Sequence, residues 1–296
     1  MARTGFMFAG QGAQFPGMGR KVAESSKAAQ DIFEKADRML GYSISNLCFD
    51  GTIEDLTPCA VCQPAIFTVS MACITSFAES QESTPPSVAG GLSLGEFSAA
   101  CTAGVFSFED ALGLVALRGK LMDKCCKEFP GGMIAVLGAE PAAIQQVCEE
   151  AGIDVANFNC PGQIVISGEN AGLDKASKAL EAMGIRAIRL TVAGAYHSRL
   201  MASAAEAFGK ALASVEANKP LLPFVQNVTG AFAATPAEIK DNLQRQIFSS
   251  VRWEQCVRTM MGDCEALAEF GPGNVLSGFM RRIDRKFPAA PAFAEI

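Results

Sequence analysis

The chain has 296 residues, of which 49% are hydrophobic and 19% charged. That length and apolar content support a substantial core without disulfide or metal staples, and they exclude a disordered chain. A formal net charge of −6 repels phosphate backbones and anionic lipid surfaces, which argues against nucleic acid and membrane as partners.

Eleven cysteines in a chain of this size lack the density of a secreted disulfide framework and point to a reducing, intracellular compartment. The expectation is cytoplasm, or a plastid or mitochondrial matrix where a transit peptide has been removed. No apolar run is read as reaching the ~18–20 residues of a membrane-spanning helix. The opening MARTGFMFAG passes directly into a glycine-rich loop, unlike the apolar region of a signal peptide.

In chain order, the apolar run Gly5 to Ala9 predicts a buried strand that ends in the turn-rich stretch Gly10 to Gly19. Helical periodicity follows over about 21–40 and 63–77. Ser87 to Gly90 predicts a second short strand, and Gly91 to Glu96 (GLSLGE) turns it into a helix. Ser107 with Asp110 three residues on forms a capping signal for a helix reaching about Cys126, with Arg118 well inside it. From Gly131 to Leu190 the pattern changes to strand (MIAVLG), helix (PAAIQQVCEEAG), strand (DVANFN), strand (QIVISG), helix (GLDKASKALEAMG), strand (IRAIRL). That βαββαβ order is the ferredoxin-like pattern. The expected architecture is therefore α/β, with a small ferredoxin-like subdomain at 131–196 inserted into a large α/β-hydrolase-like subdomain made of 1–130 and 197–296. Further strands are expected at Phe224 to Val228 and Ala266 to Phe270.

Gly91, Ser93 and Gly95 form GxSxG between a predicted strand and a predicted helix. A nucleophilic serine needs such a turn, because flanking glycines let the backbone fold sharply and the next helix aims its N–H groups at a developing oxyanion. Structural turns in a chain with 28 glycines produce the same string. His197 is the single histidine, so a Ser–His mechanism has to use it; a hydrogen-bonded structural histidine is the alternative. Cys59 and Cys62 form a CxxC, and Cys125 and Cys126 are adjacent. With one histidine and no second CxxC, a metal site lacks ligands, and structural thiols are the preferred reading.

Seven blocks occur in order: FAGQGAQ (Phe8 to Gln14), GLSLGE around Ser93, ALRGKLM around Arg118, NFNCPGQIVISG from Asn157, GAYHSRLM around His197, RQIFSSVRW from Arg245, and EFGPGNVL from Glu269. They resemble the signature blocks of the malonyl-CoA:acyl carrier protein transacylase family across nearly the whole chain. The resemblance implies Ser93 as nucleophile and His197 as base and then acid, oriented by the backbone carbonyl of Gln246 in place of a triad carboxylate. It implies an oxyanion hole from the backbone N–H groups of Gln11 and Leu94, and a grip by Arg118 on the malonyl carboxylate. The implied substrate pocket is Gln11, Leu92, Met133, Asn159 and Tyr196, with no metal and no cofactor. Malonyl-CoA and acyl carrier protein are the implied partners of an expected monomer. Tyr196 beside the histidine supplies bulk that favours malonyl over methylmalonyl.

Leu92 departs from the family's usual histidine before the nucleophile, which is expected to tune the site without abolishing chemistry. The carrier is itself acidic, so its docking calls for a local basic patch from Arg252, Arg258, Arg281, Arg282, Arg285 and Lys286. A serine esterase or thioesterase and a non-catalytic carrier-binding module are the competing readings. A carboxylate-binding Arg118 discriminates against the first, and an intact Ser93, His197 and Arg118 against the second.

Overall fold

The run GFMFA builds the strand around which the larger part of the fold assembles. The computed structural model describes residues 3–80 and 84–292; the remaining positions of the expected large subdomain (1–2, 81–83 and 293–296) lie outside the described residues. Strand β1 (Thr4–Phe8) is followed by helices α1 (Arg20–Ser25), α2 (Lys27–Leu40), α3 (Ile44–Asp50) and α4 (Cys59–Glu79), then β2 (Val88–Gly91), α5 (Gly95–Thr102) and α6 (Phe108–Glu128). Next come β3 (Gly131–Leu137), α7 (Pro141–Ala151), β4 (Asp154–Cys160), β5 (Gln163–Glu169), α8 (Asn170–Ala182) and β6 (Arg186–Arg189). The chain continues through a 3-10 turn (Arg199–Met201), α9 (Ala202–Ser214), β7 (Val225–Gln226), β8 (Ala231–Phe232) and α10 (Pro236–Gln246). It finishes with α11 (Trp253–Met261), β9 (Ala266–Phe270), α12 (Val275–Ile283) and β10 (Ala289–Pro291).

One sheet has the order β10-β9-β1-β2 and is parallel throughout. Alternation along β1 sends Phe6 and Phe8 into one core with Phe270, and Met7 into another with Val88 and Leu267. Burial on both faces is what a parallel sheet requires, and it explains why β1 reads as an uninterrupted apolar run. The second sheet has the order β4-β5-β3-β6 and is antiparallel, which is the ferredoxin-like arrangement expected from the βαββαβ pattern. Ile134, Val136, Ile164 and Ile166 face α7 and α8, packing on Ile144, Val147, Leu173 and Leu180. The alternate residues Met133 and Val165 join the large core on the opposite face. Val251 ties the two parts together, its carbonyl accepting from Phe158 N–H at 2.9 Å and its N–H donating to Ala156 at 2.8 Å.

Three sequence expectations are corrected. The helix expected over 21–40 is two, because Ser26 is extended and its hydroxyl accepts from Ala29 N–H at 3.2 Å, capping α2 as a new helix. Helix α4 starts at Cys59, four residues before the expected start, because the Asp123 carboxylate of α6 accepts from the N–H groups of Cys59 (3.0 Å) and Ala60 (2.8 Å). The same helix, 21 residues long, is apolar enough to cross a membrane by length and composition, contrary to the expectation that no such run exists. Its residues Cys59 and Gln63 to Cys73 are buried inside the fold, so its all-round hydrophobicity serves as a core helix.

Candidate functional site

The turn after β2 is forced by its glycines. Ser93 has φ 50°, in the left-handed region, where a side chain is strained and surrounding contacts must hold it. A Cβ on Gly91 would lie 2.0 Å from the Gly95 carbonyl group, and one on Gly95 would lie 2.2 Å from the Phe8 carbonyl oxygen. Only glycine lets this elbow close on itself and pack against the end of β1. The Leu92 N–H donates to Phe8 at 3.1 Å, fixing the elbow to the central strand.

His197 is the other non-glycine residue in the left-handed region among the described residues, with φ 56°. It sits in an irregular segment after β6 and just before the 3-10 turn that leads into α9. Its Nε2 lies 2.7 Å from Ser93 Oγ, and its Nδ1 lies 2.7 Å from the Gln246 carbonyl oxygen. A carbonyl can only accept, so Nδ1 carries the proton and Nε2 is free to accept from the serine hydroxyl. Burial, reinforced by the nearby Arg118 charge, pulls the imidazole down to about 4, so it is neutral and ready to take a proton at physiological pH.

Arg118 projects from the middle of α6 and is 1% exposed. Its Nη1 donates to Gln63 Oε1 at 2.8 Å, and its Nη2 donates to Gln246 Oε1 at 2.9 Å and to Ser93 Oγ at 3.1 Å. Its Nε–H is buried without a partner. Burial lowers this guanidinium to about 10, still a cation near neutrality. A buried cation with no directly bonded carboxylate and an unused donor is suited to receiving an anion from the cleft.

A cleft of about 490 Å³ runs between the two sheets, and Gln11, Leu92, Ser93, Arg118, Met133, Asn159, Tyr196 and His197 all line it. Every residue expected in the pocket is therefore brought together. The backbone N–H groups of Gln11 and Leu94 have no acceptor among the described residues, as a pair of donors reserved for a transient oxyanion would. Asn159 Oδ1 is also buried and unpartnered. Cys59 Sγ meets Tyr196 Oη at 3.0 Å, and burial raises its thiol to about 11, so it is a protonated thiol packed behind Tyr196 rather than a thiolate. Cys62 is buried one turn further along α4, and among the described residues no three His, Cys, Asp or Glu side chains group as metal ligands.

Comparison with known proteins places this site in a family. Residues 5–274 match the acyl transferase domain family. The chain is 39% identical over 293 residues to the malonyl CoA-acyl carrier protein transacylase of Bacillus subtilis (strain 168), covering 97% of this chain and 92% of that protein. The chain belongs to the malonyl-CoA:acyl carrier protein transacylase family. A crystal structure of the transacylase from Xanthomonas oryzae pv. oryzae superposes with a TM-score of 0.95 at 36% identity, covering 100% of this chain and 96% of that one. A type II PKS acyl-carrier protein in complex with its malonyl-transacylase gives a TM-score of 0.95 at 34% identity, over 98% and 96% of the two chains.

Beyond the residues expected from the transacylase blocks, the site contains a buried polar layer that sequence reasoning missed. Asn227 Oδ1 accepts from Ser93 N–H at 2.6 Å, and Asn227 Nδ2 donates to the Gly91 carbonyl at 2.8 Å. The side chain of Gln246 contributes as well as its carbonyl, its Nε2 donating to Ser93 O at 2.8 Å and to Glu96 Oε2 at 2.7 Å. Gln63 carried a usable signal, since a lone amide inside an apolar helix needs a buried partner. Asn227 carried none in its local pattern.

Proposed function

We propose that this protein transfers a malonyl group from malonyl-CoA to the phosphopantetheine thiol of an acyl carrier protein, through a malonyl ester on Ser93. The observation that carries the reading is the buried Arg118 whose donor already touches Ser93 Oγ at 3.1 Å. A carboxylate held by that fork sets the thioester carbonyl of the same three-carbon acyl group over the nucleophile.

His197 Nε2 takes the Ser93 proton as Oγ attacks the thioester carbonyl, and the N–H groups of Gln11 and Leu94 hold the resulting oxyanion. Collapse breaks the C–S bond, and His197 returns the proton to the departing CoA thiolate. The carrier's thiol then gives its proton to His197, attacks the ester and regenerates the serine. Each half moves one acyl group and one proton, so no metal, redox group or other cofactor is needed.

In this reading residues 1–130 and 197–296 supply the nucleophile and base, and 131–196 supply a cleft wall. The acidic carrier docks on exposed cations: Arg252, which lies over Phe158 with 6.0 Å to the ring centroid, and Arg281, Arg282, Arg285 and Lys286 around the end of α12. Arg258 is taken up by Glu254 at 2.7 Å and contributes less. The protein acts as a monomer in a reducing compartment, cytoplasm or organelle matrix, and supplies fatty-acid or polyketide synthesis.

Intact mass spectrometry after incubation with malonyl-CoA, acetyl-CoA or methylmalonyl-CoA, without carrier protein, tests the reading. A malonyl adduct is expected on the unaltered protein, none on Ser93→Ala, and acetyl acceptance on Arg118→Ala. Accumulation of free CoA without an adduct would replace the transferase reading with hydrolysis.

A further inference from the structure

Behind Ser93 the side chain of Glu96, fully buried in the first turn of α5, gathers donors from three residues. Its Oε2 accepts from Gln246 Nε2 at 2.7 Å and from Asn227 N–H at 3.0 Å, and its Oε1 accepts from Gln226 Nε2 at 3.2 Å. Only donors meet it among these bonds, so the ionised form is the one the network fits. Glu269, the other carboxylate that is almost fully buried among the described residues, is committed elsewhere, accepting from the N–H groups of Leu276 and Ser277 at the start of α12.

We propose that Glu96 is a positioning residue for the acyl transfer: through the Gln246 amide it fixes both the carbonyl that orients His197 and the guanidinium face that receives the substrate carboxylate. The inference rests on the reading of the site given under Proposed function. An amide can sit either way round unless both of its ends are specified. Here Gln246 Oε1 accepts from Arg118 Nη2 at 2.9 Å, while Nε2 donates to Glu96 Oε2 and Ser93 O. A flipped amide would set N–H against the guanidinium, and oxygen against both the carboxylate and the Ser93 carbonyl. The cation on one side and the anion on the other therefore leave one orientation. The same residue's backbone oxygen holds His197 Nδ1 at 2.7 Å, so base and carboxylate clamp share one anchor.

Glu96 braces the elbow by a second route. Asn227, held through its N–H, accepts from Ser93 N–H and donates to Gly91 O, spanning the strained Ser93 turn from both sides. Gln226 extends the layer to α10, accepting from Asn242 Nδ2 at 2.8 Å. Without the Glu96 charge, the buried Arg118 has no buried counter-charge until a substrate carboxylate arrives, and the amide that aims it is free to turn.

The test measures kcat/KM for Ser93 ester formation from malonyl-CoA and from acetyl-CoA in Glu96→Gln, Glu96→Asp, Gln246→Ala and the double variant Glu96→Gln/Gln246→Ala. Glutamine at position 96 keeps the shape but must turn its own N–H₂ toward one of the three donors. The malonyl-to-acetyl ratio is expected to fall about 10- to 100-fold in Glu96→Gln, and the double variant is expected to show no further fall beyond Gln246→Ala. A residue that only supported folding would lower both substrates by one factor and leave the ratio alone. An unchanged ratio, or effects of the two single variants that multiply, overturns the proposal. Should Glu96→Gln not fold, Glu96→Asp decides: its charge is retained but withdrawn by about 1.5 Å, and the ratio is expected to fall in the same direction by less. If the unaltered protein forms no malonyl ester, the reading of the site fails; if it does and the ratios stay level, the Glu96 inference fails alone.

Discussion

The two sheets serve the same cleft in different ways. The parallel sheet contributes the ends of its strands: Gly10 and Gln11 follow β1, Leu92 and Ser93 follow β2, and the turn into Val275 follows β9. The antiparallel sheet contributes residues along its strands, with Met133, Asn157, Asn159 and Val165 presenting a wall. A parallel sheet is covered on both faces, so its free surface is at the carboxyl ends of its strands. An antiparallel sheet needs helices on one face only and leaves the other for contact. The nucleophile thus sits on a strained turn anchored by a buried sheet, and the wall that shapes the cleft sits on strands, with register shifts in β4 at Val155/Asn157 and Phe158/Cys160.

The most damaging change is expected at the point where the elbow touches β1. In Gly95→Ala the new Cβ would meet the Phe8 carbonyl oxygen at 2.2 Å, a backbone atom that cannot step aside. Displacing the elbow by even part of an ångström is expected to slow Ser93 ester formation on the order of 100-fold, read by stopped-flow release of CoA. The antiparallel sheet should respond in the opposite sense. Ile166→Ala, fully buried between β5 and the two helices, is expected to cost about 2–5 kcal/mol of stability in urea melts. Its rate of ester formation should stay within about threefold, as expected of a site distant from the chemistry. A large rate loss from Ile166→Ala would break the division between the sheets.

Within the part that carries the chemistry, pH sets two buried groups against each other. His197 is lowered from 6.5 to about 4 by burial, so the unfolded chain binds the extra proton first. The stability this contributes is fully present above pH 6.5 and is lost as pH falls through about 4, about 3 kcal/mol in all. Glu96, raised from 4.5 to about 7 by burial, acts the other way: its contribution is present below pH 4.5 and lost as pH rises through about 7. Comparing the pH dependence of urea midpoints for the unaltered protein and His197→Asn isolates the histidine limb, which should vanish in the variant. The smallest effect is expected at Leu92, which lines the cleft and packs in the core with Trp253 and Leu276. Leu92→His places a polar ring there without touching the base, and ester formation is expected to change by no more than about threefold, with a stability loss of about 1 kcal/mol.

The order of elements was readable because local periodicity reports burial. The continuous apolar runs in β1, β3 and β5, the Ser107 cap of α6 and the glycines around Ser93 each encode their own surroundings within a few residues. The signature blocks added Arg118, His197 and the Gln246 carbonyl. Local pattern misjudged the break at Ser26 and the start of α4, where a single side chain or a distant carboxylate decides the ending.

The layer formed by Gln63, Glu96, Asn227 and Gln246 was beyond any local reading, since its partners lie as far apart in the chain as Ser93 and Gln246, 153 residues. Sequence alone determined which residues are apolar, where turns must fall and which groups can do acyl chemistry. Tertiary structure decided which polar groups satisfy one another in the interior. A buried hydrogen bond depends on two partners meeting at about 3 Å, a condition that no single stretch of chain contains.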